Sequence, residues 1–206
     1  IYVLPCIAGH VGADTAGVIL AERPDLSDEI TLLVDVGTNA EIVLGSKARL
    51  LACSSPTGPA FEGAQISSGQ RAAPGAIERI RINPETLEPR YKVIGCDKWS
   101  DEEGFEEAIA QTGVTGICGS GIIEAIAEMY LSGVINQDGL IDGSLAERSP
   151  RIEPHKRTFN YVIRAPKEGG NEPLIRVTQN DVRAIQLGKA ALYADQPIAG
   201  RSHNVP

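Results

Sequence analysis

Three apolar segments separated by very short breaks constrain the fold of this chain more than any other feature. The segments span residues 30–36, 40–44 and 48–53, and only three residues separate each from the next. Parallel strands need a connection of about a dozen residues or more, so these breaks allow only antiparallel neighbours. The sequence therefore predicts a three-stranded antiparallel meander. Because the first segment is an almost continuous run of β-branched residues and leucine, we expect it to be buried on both faces of the sheet.

Strand and helix signals alternate along the rest of the chain, which is typical of α/β proteins. The apolar residues 1–5 predict a strand, and 12–22 predict a helix that follows it. A capping-box pattern over 178–181 predicts the start of a last helix at 179–193. Further strands are predicted at 76–82, 91–94, 159–163 and 174–177, and further helices at 101–111 and 120–131, the latter ending at Gly133.

These signals divide the chain into one incomplete domain and a tail. The domain covers residues 1–194, with the strand and crossing helix at 1–22, the meander at 30–53 and the remainder at 54–194. The helical spacing of apolar residues does not continue further, so 195–206 are predicted to form an irregular tail.

The charge balance argues against two classes of partner. The 206 residues carry 19 Lys and Arg against 27 Asp and Glu, a net charge of -8, so the chain lacks the cationic excess that nucleic acids and anionic membranes attract. No apolar run approaches the roughly 18 residues of a membrane helix, and no signal peptide is recognisable. The four cysteines contain no CxxC pair, which favours free thiols in a cytoplasmic protein over a metal cluster: Cys6, Cys53, Cys96 and Cys118.

The break after the first meander strand has the composition of a phosphate-binding turn. Asp35 ends the strand, Gly37 lets a phosphate approach the backbone closely, and consecutive N–H groups form a nest for an anion. Thr38 and Asn39 add side-chain donors, and Asp35 is placed to hold a hydrated Mg²⁺ ion. The alternative is an ordinary hairpin turn in which Asp35 only caps the strand end.

Two other short segments have candidate functional residues at the start of a predicted helix. Gly119, Ser120 and Gly121 precede a predicted helix, whose N-terminus favours an anion such as phosphate. Asp14 lies in the first turn of the predicted helix at 12–22. Each has a simpler interpretation, since glycine is common at strand-to-helix turns and an acidic residue complements the helix dipole.

Taken in order, these features resemble one branch of the ATPase superfamily that includes actin, sugar kinases and heat-shock chaperones. The chain is similar to the C-terminal ATPase domain of the reductive activators of corrinoid proteins. Five segments carry the resemblance: GHVGADTAGVILA, LLVDVGTNAEIVLG, LLACSSPTGPAFEGAQISSGQRAAPGAIE, GICGSGIIEAIAEMYLSGVI and TQNDVRAIQLGKAA. The resemblance implies a ribonuclease-H-like α/β fold, with a mixed sheet that contains the antiparallel meander and is flanked by helices.

The resemblance also implies a function. In that family, ATP hydrolysis is coupled to the reduction of cob(II)alamin to cob(I)alamin on a partner corrinoid methyltransferase protein. ATP and Mg²⁺ are the implied cofactors, and an iron–sulfur cluster belongs to a family domain that this chain does not contain. The implied partner is a corrinoid protein, and an open sheet edge favours a homodimer.

The resemblance assigns roles to particular residues. The residues of the meander turn become the second phosphate loop, with Asp35 as the Mg²⁺ ligand, and Asp14 matches the residue that orients a metal-bound water. Gln186 and Lys189 occupy positions that contact the nucleoside in relatives. The other nucleotide-binding residues are predicted to be Gly37, Thr38, Asn39, Glu41, Gly119, Ser120 and Gly121.

The chain departs from the family pattern in two ways. Pro56 and Thr57 replace a pair of alanines, and Ala40 replaces a glycine, so we expect a modest perturbation of the nucleotide site. Family segments before residue 1 and after the last helix are also absent, which predicts a fragment with weak or no ATPase activity. Two alternatives stay open: a non-catalytic docking or dimerisation module for a corrinoid protein, and a small-molecule kinase of the same superfamily.

Overall fold

A computed structural model describes residues 2–167 and 169–201 and places nine strands among them, in three separate three-stranded sheets. The chain divides into two units. The first runs to Gly58 and resumes at Leu187, and the second is Pro59–Gln186. The second unit is one continuous stretch of sequence, inserted between the two parts of the first.

The first unit contains the predicted meander. Its elements are helix α1 (Ala13–Glu22) and strands β1 (Thr31–Val36), β2 (Ala40–Ser46) and β3 (Arg49–Ser55). The strands pair antiparallel in the order β1-β2-β3, which confirms the prediction made from the short breaks.

The prediction that β1 is buried on both faces is wrong. Leu32, Val34 and Val36 are 52%, 39% and 42% exposed, while the alternate residues of the strand are half-buried. β1 is one of the two edge strands of its sheet, and among the described residues no further strand pairs with its outer side. The apolar run therefore predicts that a strand forms, but it does not predict how deeply the strand is buried. Burial depends on which other elements pack against the strand, and the residue pattern does not identify them.

Residues 2–5 do not form the predicted strand, and Tyr2 and Val3 are 84% and 79% exposed. Residue 1 lies outside the described residues. An extended segment is a strand only when a neighbour satisfies its backbone groups, and among the described residues none pairs with this one. The expected strand and crossing helix at 1–22 is thus reduced to α1.

The second unit contains two sheets. In the first, β4 pairs antiparallel with β5 and parallel with β6. In the second, β8 lies between β7 and β9 and pairs antiparallel with both. Their bounds, with those of the two helices in this stretch, are β4 (Ala76–Ile82), β5 (Pro89–Val93), α2 (Phe105–Ala108), β6 (Gly116–Ile117), α3 (Gly119–Leu131), β7 (Ile152–His155), β8 (Thr158–Arg164) and β9 (Ile175–Thr178).

Helix α3 packs on β4 and supplies much of the core of this unit. Ile77 and Ile80 of the strand and Ile122 and Met129 of the helix are 0% exposed. The helix ends where the sequence predicts, since Gly133 adopts the left-handed φ of 77° that suits a residue just beyond a helix C-terminus. The predicted helix at 101–111 is instead the single turn α2.

The last helix, α4 (Gln179–Arg201), begins at the predicted capping box. Asp181 N–H donates to the Thr178 hydroxyl at 3.3 Å, and Thr178 N–H donates to the Asp181 carboxylate at 2.7 Å. The helix continues through residues 195–201, which corrects the expectation of an irregular tail there. The alanines preceding this stretch favour helix propagation. Residues 202–206 of that tail lie outside the described residues.

Candidate functional site

A three-residue turn joins β1 to β2 where the sequence predicts a phosphate-binding loop. Val36 and Ala40 are the last paired residues of the two strands, so Gly37, Thr38 and Asn39 form the turn. Gly37 N–H donates to the Asn39 carbonyl at 2.9 Å, which closes the turn on itself. Thr38 and Asn39 are exposed. The turn therefore presents two polar side chains at the end of the hairpin.

Thr57, just beyond β3, holds this turn in place. Its hydroxyl donates to the carbonyl of Gly37 at 2.7 Å and lies 3.1 Å from that of Thr38. Gly58 N–H donates to the Thr38 carbonyl at 2.9 Å. Thr57 is only 5% exposed, so these hydrogen bonds are shielded from water. The departure from the family pattern at this position thus has a local structural role.

A polar row crosses the meander one residue before the turn. Asp35 of β1 lies opposite Glu41 of β2, which in turn lies opposite Ser54 of β3. Directly opposed residues of antiparallel strands point to the same face, so the three side chains share one face of the sheet. Ser54 Oγ donates to Glu41 Oε1 at 2.9 Å. This bond orients Glu41, while the half-buried carboxylate of Asp35 has no ion pair or hydrogen bond with any described residue.

The donor set at this row fits a hydrated Mg²⁺ ion better than a tightly ligated transition metal. Across residues 2–167 and 169–201, no three His, Cys, Asp or Glu side chains are grouped as a metal site. Mg²⁺ keeps several water ligands and uses one or two carboxylates together with phosphate oxygens, so it does not need such a group. Asp35 and Glu41 supply the two carboxylates on one face.

Two other predicted residues belong to the first unit but to different elements. Asp14 lies exposed in the first turn of α1, and its Oδ1 accepts a hydrogen bond from Thr15 N–H at 2.8 Å. Helix α1 contacts β1, the strand that carries Asp35. Lys189 is exposed on α4. Asp14 and Lys189 therefore have side chains accessible to solvent in this unit.

The glycines at the start of α3 have a packing role in the second unit. A side chain at Gly119 would collide with the carbonyl of Phe61, and one at Gly121 would collide with the carbonyl of Ile77. Ser120, between them, is exposed, and its hydroxyl lies 3.2 Å from the Cys118 thiol. These contacts give the two glycines a structural reason that is independent of any phosphate.

Gln186, also in the second unit, is engaged by a neighbouring loop. Its Nε2 donates to the carbonyl of Asp138 at 3.2 Å, and its side chain packs against Gly139 so closely that a side chain at that glycine would collide with it. Gln186 thus stabilises the loop at 136–139 against α4.

The structure groups some predicted site residues and separates others. The hairpin brings together Asp35, Glu41 and the three turn residues, whereas Asp14 and Lys189 lie on helices of the same unit. The remaining four residues belong to the second unit: Gly119, Ser120, Gly121 and Gln186. Sequence reasoning missed the supporting roles of Ser54 and Thr57. The strand register places Ser54 opposite Glu41, and this register was the signal that could have found Ser54. No feature of the sequence indicates that the Thr57 hydroxyl contacts the turn.

Comparison with known proteins adds an independent observation. A family model described as the C-terminal domain of RACo, the ASKHA domain, matches residues 29–199. The corrinoid activation enzyme RamQ of Eubacterium limosum is 36% identical over 197 residues, which cover 92% of this chain and 30% of that protein. The Co(II) methylated amine-specific corrinoid protein reductase of Methanosarcina barkeri is 33% identical over 204 residues, covering 92% of this chain and 32% of that protein.

A solved structure agrees with these matches. The reductive activator for corrinoid, iron–sulfur protein aligns with a TM-score of 0.83 and 35% identity, covering 100% of this chain and 30% of that one. This chain therefore spans about a third of the length of its matched relatives. The expected α/β ASKHA fold is confirmed, although the meander forms an antiparallel sheet of its own and the mixed sheet is that of β4, β5 and β6. The chain belongs to the family of the RACo C-terminal ASKHA domain.

Proposed function

We propose that this chain is the nucleotide-binding part of an ATP-dependent reductive activator of corrinoid proteins. The observation that carries the proposal is the family match over residues 29–199, because that span contains the whole β1–β2 hairpin and its polar row. Two matched relatives are named as a corrinoid activation enzyme and a corrinoid protein reductase. Because the chain covers about a third of their length, their activity is assigned to this chain only as part of the proposal.

In the proposed site, the turn of Gly37, Thr38 and Asn39 binds the phosphates of ATP. Glycine allows close approach of the backbone, and the two exposed side chains add hydrogen-bond donors. Asp35 holds Mg²⁺, since its carboxylate is half-buried and without a partner among the described residues. Glu41, oriented by Ser54, adds negative charge on the same face. Mg-ATP supplies the free energy that the return of cob(II)alamin to cob(I)alamin requires.

The other residues have secondary roles in the proposal. Asp14 accepts a hydrogen bond from the attacking water and so orients it. Lys189, exposed on α4 in the same unit, contacts the nucleoside. Gln186 is left out of the proposed site, because its side chain is engaged by the Asp138 carbonyl in the second unit. The start of α3 is the weakest assignment, because its glycines already have a packing role.

Calorimetric titration with Mg-ATP tests the proposal on the chain as it exists. Nucleotide contacts in this superfamily come from two halves, so we expect weak binding and little hydrolysis. Asp35→Asn is expected to weaken Mg-ATP binding about tenfold, since it removes the carboxylate charge that faces the metal. Asp97→Asn, an exposed position in the second unit, serves as the matched control. Equal affinity in wild-type and Asp35→Asn proteins would contradict the proposal.

A docking or dimerisation module is a second candidate, favoured by the exposed apolar residues of β1. Leu32, Val34 and Val36 are 39–52% exposed on an edge strand, and such edges pair readily with other chains. A docking module would keep its binding to a corrinoid protein when Asp35 is replaced and Mg-ATP is omitted. Pull-down of a corrinoid protein by wild-type and Asp35→Asn chains, with and without Mg-ATP, therefore separates the two candidates.

A further inference from the structure

The hydrogen bonds between the segment after β3 and the β1–β2 turn fix the direction of two peptide groups. The carbonyl of Gly37 accepts a hydrogen bond from the Thr57 hydroxyl at 2.7 Å. The carbonyl of Thr38 accepts one from Gly58 N–H at 2.9 Å and lies 3.1 Å from the same hydroxyl. Both carbonyls therefore point towards the segment that contains Thr57 and Gly58.

The directions of these carbonyls determine the directions of two N–H groups. A peptide group is planar and trans, so its N–H points away from its carbonyl. The carbonyl of Gly37 shares a peptide group with the N–H of Thr38, and the carbonyl of Thr38 shares one with the N–H of Asn39. Because both carbonyls face the same segment, both N–H groups point to the opposite side of the turn. Thr38 and Asn39 are exposed.

The N–H of Gly37 is oriented differently from these two. It donates to the Asn39 carbonyl at 2.9 Å and so is used within the turn. Successive N–H groups that point the same way form a concavity suited to an anion. The turn therefore directs two backbone donors, those of Thr38 and Asn39, towards one side.

We propose that Thr57 is a positioning residue of the phosphate site, which binds through the N–H groups of Thr38 and Asn39 and not through that of Gly37. The inference rests on the proposed function, since the anion is the phosphate chain of Mg-ATP. Thr57 acts through the two carbonyls and does not itself contact phosphate. It is 5% exposed, so water competes little for its hydroxyl. A turn that is ordered before binding costs less to order when the phosphate binds.

This role changes the meaning of the departure from the family pattern at Thr57. The methyl group of an alanine at this position cannot donate a hydrogen bond to either carbonyl. Threonine therefore strengthens the phosphate site of this chain, whereas the substitution on its own predicts a modest perturbation.

Amide NMR signals of the ¹⁵N-labelled chain test which N–H groups meet the phosphate. The probe is inorganic triphosphate with equimolar Mg²⁺, which contains no adenosine, and Mg²⁺ alone is the comparison. We expect the triphosphate to shift the amide signals of Thr38 and Asn39, and to shift that of Gly37 less than half as far. The proposal is overturned if the Gly37 signal shifts most, if Mg²⁺ alone produces the same shifts, or if millimolar Mg-triphosphate leaves the turn unchanged.

Variants of Thr57 test its role in positioning. Thr57→Ala should weaken the binding of Mg-triphosphate about fivefold, and Thr57→Ser, which keeps the hydroxyl, should bind within about twofold of wild type. Ile42→Val is the matched control, because it shortens a side chain of the same sheet that is 0% exposed and changes no group that contacts the turn. All affinities are measured at a temperature at which circular dichroism shows each variant to be folded.

A purely structural role for Thr57 would leave the affinity of the folded variants unchanged. Equal affinity of the wild-type and Thr57→Ala chains, or an equal loss in Ile42→Val, would thus overturn the proposal. If Thr57→Ala does not fold, the amide shifts of the wild-type chain and the affinity of Thr57→Ser decide.

Titration with Mg-ATP separates this inference from the proposed function. If Mg-triphosphate shifts the Thr38 and Asn39 signals but Mg-ATP does not bind, the nucleotide site is contradicted and the role of Thr57 is supported. If Mg-ATP binds and leaves these two signals unchanged, the role of Thr57 is overturned and the nucleotide site is not.

Discussion

The hydroxyl of Thr57 donates a hydrogen bond to the carbonyl of Gly37 at 2.7 Å, across 20 positions of sequence. This bond fixes the turn that would bind the phosphates to the segment after β3. Because Thr57 is buried and its hydroxyl also lies 3.1 Å from the Thr38 carbonyl, few other groups can replace it. The conformation of the turn therefore depends on a residue outside the hairpin.

Replacing this hydroxyl should destabilise the first unit. Thr57→Ala removes a buried donor, so we expect the free energy of unfolding to fall by about 1–2 kcal/mol. Thr57→Ser keeps the donor and should lose less than half as much. Urea unfolding of the two variants and the wild-type chain measures the difference. Equal losses for serine and alanine would show that the methyl group, and not the hydrogen bond, is responsible.

The glycines that begin α3 should tolerate substitution poorly. A methyl group at Gly119 or Gly121 would meet the carbonyl of Phe61 or Ile77, so Gly119→Ala and Gly121→Ala should each cost about 1–3 kcal/mol. Ser120→Ala, at the exposed position between them, is the matched control and should change stability by less than about 0.5 kcal/mol. Thermal unfolding provides the comparison. A neutral Gly119→Ala would contradict the packing role.

An ion-pair cluster makes the stability of the second unit depend on pH. Hydrogen bonds from Arg164, at 3.0 Å, and then from Lys167 lower the pKa of Glu106 from 4.5 to about 2. A carboxyl whose pKa is lower in the folded state stabilises that state above its unfolded pKa. This contribution disappears as the pH falls from 4.5 towards 2.

Glu106→Gln should therefore cost stability near neutral pH and progressively less in acid. The side chain is 44% exposed and solvent screens the pair, so we expect a loss of only about 1 kcal/mol at neutral pH. Glu107→Gln, which removes an exposed neighbouring carboxylate without an ion pair to any described residue, is the control. Urea unfolding between neutral pH and about pH 3 tests this, and a loss that grows in acid would contradict it.

Local signals in the sequence predicted the parts of the fold that short-range geometry decides. Breaks of three residues force the antiparallel meander, and the Thr178–Asp181 pattern marks the start of α4. The predicted helix at 101–111 failed because Gly104 adopts a left-handed φ of 79°, which prevents a helix from continuing through it. The burial of β1 was mispredicted because it depends on which elements cover the strand.

In the candidate site, too, sequence predicted what depends on neighbouring residues and missed contacts between distant segments. The grouping of Asp35 with the turn residues followed from their adjacency in sequence. The contribution of Ser54 was missed although the short breaks constrain the strand register that places it beside Glu41. The contribution of Thr57 could not be predicted, since it arises from a contact between distant segments. The packing of Gly119 against Phe61 is equally non-local. Sequence reasoning therefore found residues that suit the chemistry but not the residues that hold them in place.

The most direct test of the central claim is to locate the metal–nucleotide complex on the chain. Mn²⁺ can replace Mg²⁺ in the complex with ATP, and its unpaired electrons broaden the NMR signals of nearby amides. If the hairpin binds the complex, Mn-ATP should selectively broaden the amide signals of Asp35, Gly37, Thr38 and Asn39, and Asp35→Asn should largely abolish the effect. Broadening confined to other parts of the chain, or none at millimolar Mn-ATP, would contradict the proposed nucleotide site.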